Sequence, residues 1–273
     1  MLTRVISGAV LVVAALITIL AGGNFLAVVL LLLSLVGFHE LMKACKLTDK
    51  SKKPGALDVI GYIGICVYYM LMIFAKDRTW LFLAIIMTLV AFMFLYVLTF
   101  PKYHAEQIMS AFFCVIYAPV MLSCIYLVRN LPYGEYSVWM IFISSWICDT
   151  CAYFVGVLFG KHKMSPKLSP KKSIEGAIGG VLGSAVVGGL YGWLIVNPAI
   201  QEQNVTIAFV IISAVGAVIS QIGDLAASAI KRNHEIKDYG KLIPGHGGVM
   251  DRFDSVIFTA PMIYLLVLLL IQV

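Results

Sequence analysis

The sequence holds 273 residues, 61% of them hydrophobic and 12% charged, with a mean hydropathy of +0.97. Soluble domains run to about 45–50% apolar and about 25% charged residues, so a soluble domain is excluded and the chain reads as an integral membrane protein. The formal net charge of +6 says less than its distribution along the chain, and the six cysteines lie in apolar runs or at their ends, where they behave as small hydrophobes rather than as a disulfide framework.

A helix needs about 20 mostly apolar residues to cross a hydrocarbon core roughly 30 Å thick. Nearly the whole chain divides into such lengths: about 5–21, 25–45, 57–74, 80–100, 108–128, 138–159, 174–196, 205 to beyond 223, and 253 to the C-terminus. The expected architecture is therefore all-α and polytopic, with about nine transmembrane helices in a single membrane-embedded unit. Residues 1–130 hold the first five spans, and residues 131–273 hold the last four with two polar loops, 160–176 and 225–252. The first run reads as an anchor rather than a cleaved signal, because Gly22-Gly23-Asn24 leads straight into a second apolar run.

His39-Glu40, at the end of the second span, lacks the second His of a zinc-protease HExxH and reads as an interfacial cap or an interhelical hydrogen bond. Pro101 stops the fourth span because it cannot donate the backbone bond, and Pro119 falls within the fifth, where a membrane helix tolerates a kink. Asp149 sits near the middle of the sixth span. A carboxylate there is costly in lipid and by default faces a polar cavity. Its plainer reading is a hydrogen bond to Ser or Tyr elsewhere in the bundle. Cys148-Asp-Thr-Cys151 has CxxC spacing, but it stands alone inside a hydrophobic run, so neither a redox nor a zinc motif is expected.

Residues 160–176 carry five lysines and two Ser-Pro-Lys repeats. Prolines stiffen this loop, and Ser173 with Gly176 marks a helix start whose amino end favours an anion. Lys167, Lys171, Lys172 and Ser173 are thus candidates for phosphate contact, against the simpler reading of a basic loop drawn to anionic lipid head groups. It is not a P-loop: the glycine spacing is wrong and no Ser or Thr follows Lys161. In the seventh span Gly176/Gly180, Gly179/Gly183 and Gly188/Gly192 recur at four-residue spacing, which lets membrane helices approach closely. Packing is the preferred reading, and a homodimer is compatible with it.

Nine spans put the termini on opposite sides. The connections on the N-terminal side carry one, five, one, five and five Lys and Arg residues, 17 in all, against three on the other side (Lys76, Arg78 and Arg129). That asymmetry places the N-terminus and both polar loops in the cytoplasm. The expected location is the cell (inner) membrane, with the site facing the cytoplasm, where nucleotides are; no nucleic-acid partner is expected.

The stretch from Asp224 to Asp254 is the most polar part of the chain. Asp224, Asp251 and Asp254 are acids able to hold a divalent cation, and they are interleaved with Lys231, Arg232, Lys237, Lys241 and Arg252, bases able to hold phosphate. On a helix Asp224 and Ser228 share a face, as do Asp251 and Asp254. If the last two spans are neighbours, Asp224 is brought against Asp251. Two close carboxylates repel unless a cation joins them, and magnesium prefers one or two carboxylates plus water and phosphate oxygens. Gly245, Gly247 and Gly248 around His246 allow close backbone approach to a phosphate. The implied chemistry is phosphoryl or nucleotidyl transfer at a membrane surface, where catalysis is positioning and charge neutralisation.

The 27-residue run Ser228-x-Ile230-Lys231-Arg232-x4-Lys237-Asp238-x-Gly240-x2-Ile243-Pro244-x-His246-Gly247-Gly248-Val249-x-Asp251-Arg252-Phe253-Asp254 resembles, without a missing position, the signature of the phosphatidate cytidylyltransferase (CDP-diacylglycerol synthase) family. The resemblance extends to Asp149-Thr150-x-Ala152-Tyr153 and to Ser169–Gly176. It covers the C-terminal half well, and residues 1–130 only in hydrophobic character. Cys151 departs from the small residue, commonly Gly, expected after Asp149-Thr150, which bears on the packing around Asp149. The resemblance implies transfer of CMP from CTP to phosphatidic acid, releasing pyrophosphate and leaving CDP-diacylglycerol. It also implies a magnesium requirement, with Asp224 and Asp251 as metal ligands and room for a second cation between them.

On that basis a phosphatidate oxygen, already ionised at neutral pH, attacks the α-phosphorus of CTP in line without a general base. Lys and Arg groups neutralise the leaving pyrophosphate, Asp149 walls a cleft open to the lipid, and His246 contacts phosphate or base. Two rivals remain. A CTP-dependent polyprenol or phytol kinase attacks the γ-phosphorus with an alcohol and needs a base, for which Asp238 or His246 would serve. An ion-coupled transporter uses Asp149 and Asp224 as an ion path but leaves the crowded bases unexplained.

Overall fold

The computed structural model describes residues 2–48, 54–201, 204–243, 245 and 247–271, with side chains from residue 8 onward. Among these, the chain forms α1 (Leu2–Ala21), α2 (Gly23–Ala44), α3 (Ala56–Phe74), α4 (Thr79–Leu98), α5 (Ala105–Arg129), α6 (Gly134–Phe159), β1 (Lys163–Ser165), β2 (Ser169–Ser173), α7 (Ile174–Ile200), α8 (Thr206–Asn233) and α9 (Met250–Leu270). Eight of these helices, α2 to α9, are long and apolar enough to cross a membrane, and α1 adds the shorter apolar stretch Gly8–Ala21. The chain is a multi-pass membrane protein with the all-α architecture expected.

Two boundaries differ from the expected ones for physical reasons. The loop foreseen from 225 begins only after Asn233: Leu225 to Ile230 are good helix formers, and Lys231 and Arg232 in the last turn of α8 complement its carboxyl-end dipole. The loop foreseen across 160–176 contains a short antiparallel hairpin pairing Lys163 with Ser173 and Ser165 with Ser169. Its prolines, Pro166 and Pro170, stand in the turn and in the second strand, where local alternation was too brief to be read.

The backbone contacts divide the chain into two compact units, residues 1–123 with 234–252 and residues 124–233 with 253–273. In the first, α3 uses its tyrosines as polar struts. Tyr69 pairs with Ser34 of α2 at 2.7 Å and donates to the Pro119 carbonyl of α5 at 3.2 Å, while Tyr68 pairs with Ser123 at 2.9 Å. Pro119 lies in a π turn, Ile116–Val120, as expected where a proline removes one backbone donor.

In the second unit α7 packs along α6 and α8. The glycines of α7 are what allow it: a Cβ on Gly180 would lie 2.9 Å from the Cys148 carbonyl oxygen, and one on Gly176 2.7 Å from that of Ala152. Gly183 faces Cys151, whose Sγ would be 2.5 Å from an added Cβ, so the bulkier residue after Asp149-Thr150 is accommodated by a glycine on the opposing helix. Gly188 does the same against Ser213 of α8. α6 and α7 each contain a π turn, Ile143–Ile147 and Gly192–Val196.

Replacing Gly180 by Leu is expected to force α7 off α6 and to cost about 1–3 kcal/mol, the usual range for overpacking. Thermal melting in detergent checks this, with the outward-facing Ile178→Ala as a control that leaves the midpoint near wild type.

Candidate active site

Five charged residues of the second unit, Asp149, Lys172, Asp224, Lys231 and Asp254, converge on one place. The π turn Ile143–Ile147 ends where Cys148-Asp149 begin, and α8 carries Asp224 one turn beyond Gln221. Gln221, 7% exposed, donates to the Ala177 carbonyl at 3.0 Å and to Cys148 Sγ at 3.3 Å. This side chain ties α8 to α7 and α6 beside Asp224. The sequence reading does not single it out, although an amide in the middle of a long, mostly apolar span is a signal.

The hairpin brings the lysines in. Lys172 Nζ forms an ion pair with Asp224 Oδ2, the two side chains being 27% and 26% exposed. Asp149 lies within electrostatic range of both Lys172 and Asp224. Asp254, near the start of α9, is in range of Asp224, Lys231 and Asp149. Three carboxylates and two ammonium groups thus share one region.

The base of the hairpin is pinned to α7. Ser173 caps the helix, accepting from Gly176 N at 3.1 Å. Glu175 accepts from the backbone N–H groups of Lys161 and His162 at 3.1 and 3.2 Å and pairs with His162 Nδ1 at 2.6 Å. The amino end of α7 therefore already has an anion in Glu175 and a capping oxygen in Ser173, so Ser173 serves here as a structural cap. Gly156 and Gly160 let α6 close on it.

A cavity of about 410 Å³ opens beside this cluster. Its lining mixes polar residues, Asp149, Lys171, Lys172, Ser173 and Gln221, with apolar ones, Ala152, Tyr153, Val157 and Met164. Tyr153 and Val157 also lie on the outward face of α6, 66% and 67% exposed, so the apolar lining of the cavity is continuous with surface that faces lipid in a membrane. Ser228 is half-buried on α8, Arg232 is exposed near its end, and Lys167 is exposed at the turn of the hairpin.

In the first unit, residues 234–252 build a second polar structure. Asp251, 7% exposed in the first turn of α9, accepts from Tyr239 N at 2.8 Å and Gly248 N at 3.0 Å through Oδ2. Ile243 N donates to Gly247 O at 2.8 Å, closing a tight turn in which Gly245 and Gly247 take φ of 77° and 87°, a conformation glycine adopts at least cost. A Cβ on Gly247 would sit 2.8 Å from Asp251 Oδ2. The glycines here admit a carboxylate of the chain itself. Lys237, Lys241 and Arg252 are exposed in this unit, and Pro244 and His246 lie outside the described residues.

No group of three or more His, Cys, Asp or Glu residues placed to hold a metal ion occurs among the described residues. That donor set still fits magnesium on a nucleotide, which needs only one or two protein carboxylates because phosphate and water supply the rest. The ion pair shows that Asp224 accepts a cation.

Compared with known proteins, the Cytidylyltransferase family matches residues 2–270 of the chain. The chain is 30% identical to a phosphatidate cytidylyltransferase of Staphylococcus saprophyticus, over the full length of both. It is 28% identical to one of Staphylococcus aureus, covering 98% of this chain and 99% of that one, and 30% identical to one of Staphylococcus haemolyticus, covering 92% of each. Matched by this family over nearly its whole length, the chain belongs to the cytidylyltransferase family.

Proposed function

We propose that the protein transfers CMP from CTP to phosphatidic acid, giving CDP-diacylglycerol and pyrophosphate. The observation that carries this reading is the cavity of the second unit, which is lined both by Asp149, Lys171 and Lys172, beside Asp224 and Asp254, and by Tyr153 and Val157, which also reach the exposed apolar face of α6. A substrate with a phosphate head and acyl chains fits such a cavity. The relatives that match over the full length are named phosphatidate cytidylyltransferases, and that name supports the same choice over a lipid kinase or a transporter.

Magnesium is the cofactor of this reading, with Asp224 and Asp251 as its carboxylates on the strength of the signature, Asp254 as a further acid close to Asp224, and a second cation allowed. When bound, the metal polarises the triphosphate and neutralises charge on it. The chain's own groups do the rest. Lys171 and Lys172 hold the phosphate of the lipid in the cavity, and Ser173 fixes the hairpin that carries them. Lys231, Arg232, Lys237, Lys241 and Arg252 offset the charge that develops on pyrophosphate, which is worth most in a site with little water. The attacking phosphatidate oxygen is ionised at neutral pH, so Asp149 is needed as a wall and charge partner rather than as a base.

The cell membrane, with the N-terminus and both polar segments in the cytoplasm, follows from the distribution of Lys and Arg. A homodimer remains part of the reading, although Gly176, Gly180, Gly183 and Gly188 are engaged within the chain and give no argument for it.

CTP labelled at its α-phosphorus separates the reactions: label entering the lipid product supports cytidylyl transfer, and label staying in CDP would reject it in favour of the kinase. Asp224→Asn and Asp251→Asn should each insert and purify but lose on the order of 10²–10³ in turnover, the scale for removing a group that stabilises transition-state charge. Near-normal turnover in either variant would sink that residue's metal assignment. Cysteines introduced at Lys167 and Lys241 should react with a membrane-impermeant maleimide in inverted vesicles and be protected in intact cells; the opposite pattern would reverse the proposed orientation.

A further inference from the structure

Glu40 lies near the end of α2, in its polar last turns with His39 and Lys43, yet it is only 6% exposed. Its two carboxylate oxygens accept from the first amides of α9: Oε1 from Val249 N at 3.1 Å and Oε2 from Met250 N at 2.9 Å. Backbone encloses it further, since a Cβ placed on Gly240 or on Gly248 would collide with its carboxylate. An anion at a helix amino end is favoured by the unsatisfied N–H groups and the dipole there. What is unusual is its source, an acid more than 200 positions earlier in the chain, held where glycines at 240 and 248 leave room for it.

Directly beside this contact Asp251 accepts from Tyr239 N and Gly248 N. Gly248 is thus held between the two acids: its N–H is used by Asp251 while its α-carbon packs on Glu40. Glu40 thereby sets the position at which α9 begins, and with it the direction in which the Asp251 carboxylate leaves the helix. We propose that Glu40 is a positioning residue for the reaction, an internal cap that fixes the 239–250 turn and holds Asp251 in its working orientation. The inference rests on the reading of Asp251 as a magnesium carboxylate.

Glu40→Gln preserves size and removes one of the two acceptor oxygens, replacing it with an N–H donor that faces another donor. In the full-length protein this variant should purify with a melting midpoint close to wild type. Trypsin should cut it after Lys237 and Lys241, both exposed, roughly tenfold faster. Its lipid-CMP formation should fall, and its half-saturating magnesium concentration rise, by roughly 10–100-fold, the range for outer partners of metal ligands. If the glutamine variant fails to purify, Glu40→Asp, which keeps the charge and shortens its reach, is measured in the same way and should show the same changes. Wild-type cutting with wild-type turnover overturns the proposal, and so does faster cutting with unchanged turnover and magnesium dependence, which would leave Glu40 a fold-holding residue only. Asp251→Asn measured alongside separates the two readings. If it stays active, the assignment of Asp251 fails whatever Glu40 does; if it is inactive while Glu40→Gln is normal, the inference fails alone.

Discussion

Carrying carboxylates into an apolar bundle is costly, from a few kcal/mol upward for a charge at the centre of a membrane helix, and the polar architecture of this protein follows from how each acid is matched. The two units use different partners. In the first, Glu40 and Asp251 are met by backbone N–H groups at the start of α9 and in the turn before it. In the second, Asp224 is met by Lys172, with Asp149 and Asp254 in the same field and Lys231 close to Asp254. An acid held by fixed amides has its geometry set by the fold. An acid held by the ammonium of a long side chain can exchange that partner for another cation, which is the property a substrate site needs.

The hairpin makes that exchange geometrically defined. Lys172 ends a strand that is tied to α7 through Ser173, with His162 and Lys161 tied to Glu175. The lysine therefore reaches Asp224 from a base tied by hydrogen bonds. Conformational entropy is lost once, on folding, and binding of substrate does not have to meet it again.

Much of this was legible in the residues. Long apolar runs announced the helices, the four-residue glycine spacing announced close packing of α7 though not its partners, and Asp149 announced itself as an acid in the wrong solvent. What could not be read were features set by long-range partners. Gln221 and Glu40 are polar residues in mostly apolar helices, and nothing local tells a reader that one links three helices and the other caps a helix more than 200 positions away. Gly247 and Gly248 read as admitting a phosphate, and in the structure they lie against Asp251 and Glu40: glycine signals close approach by something, and its sequence neighbours do not say whether that something is a ligand or a carboxylate of the chain. The extension of α8 to Asn233 was hidden by the charge of its last turn, which looked like loop and is in fact favourable at a helix end.

The π turn in α6 has a different kind of consequence. By taking one more residue into a turn it offsets the two halves of the helix by about 100° relative to a continuous α-helix. Residues ahead of Ile143 and residues from Cys148 onward are therefore indexed on different wheels. A single periodic pattern drawn through the sixth span assigns Asp149 to the wrong face. The same turn is a natural absorber of length: losing one residue between 143 and 147 would return a continuous α-helix while keeping both the packing of the first half and the aim of Asp149 in the second, so the register of the site is decoupled from the register of the span that carries it.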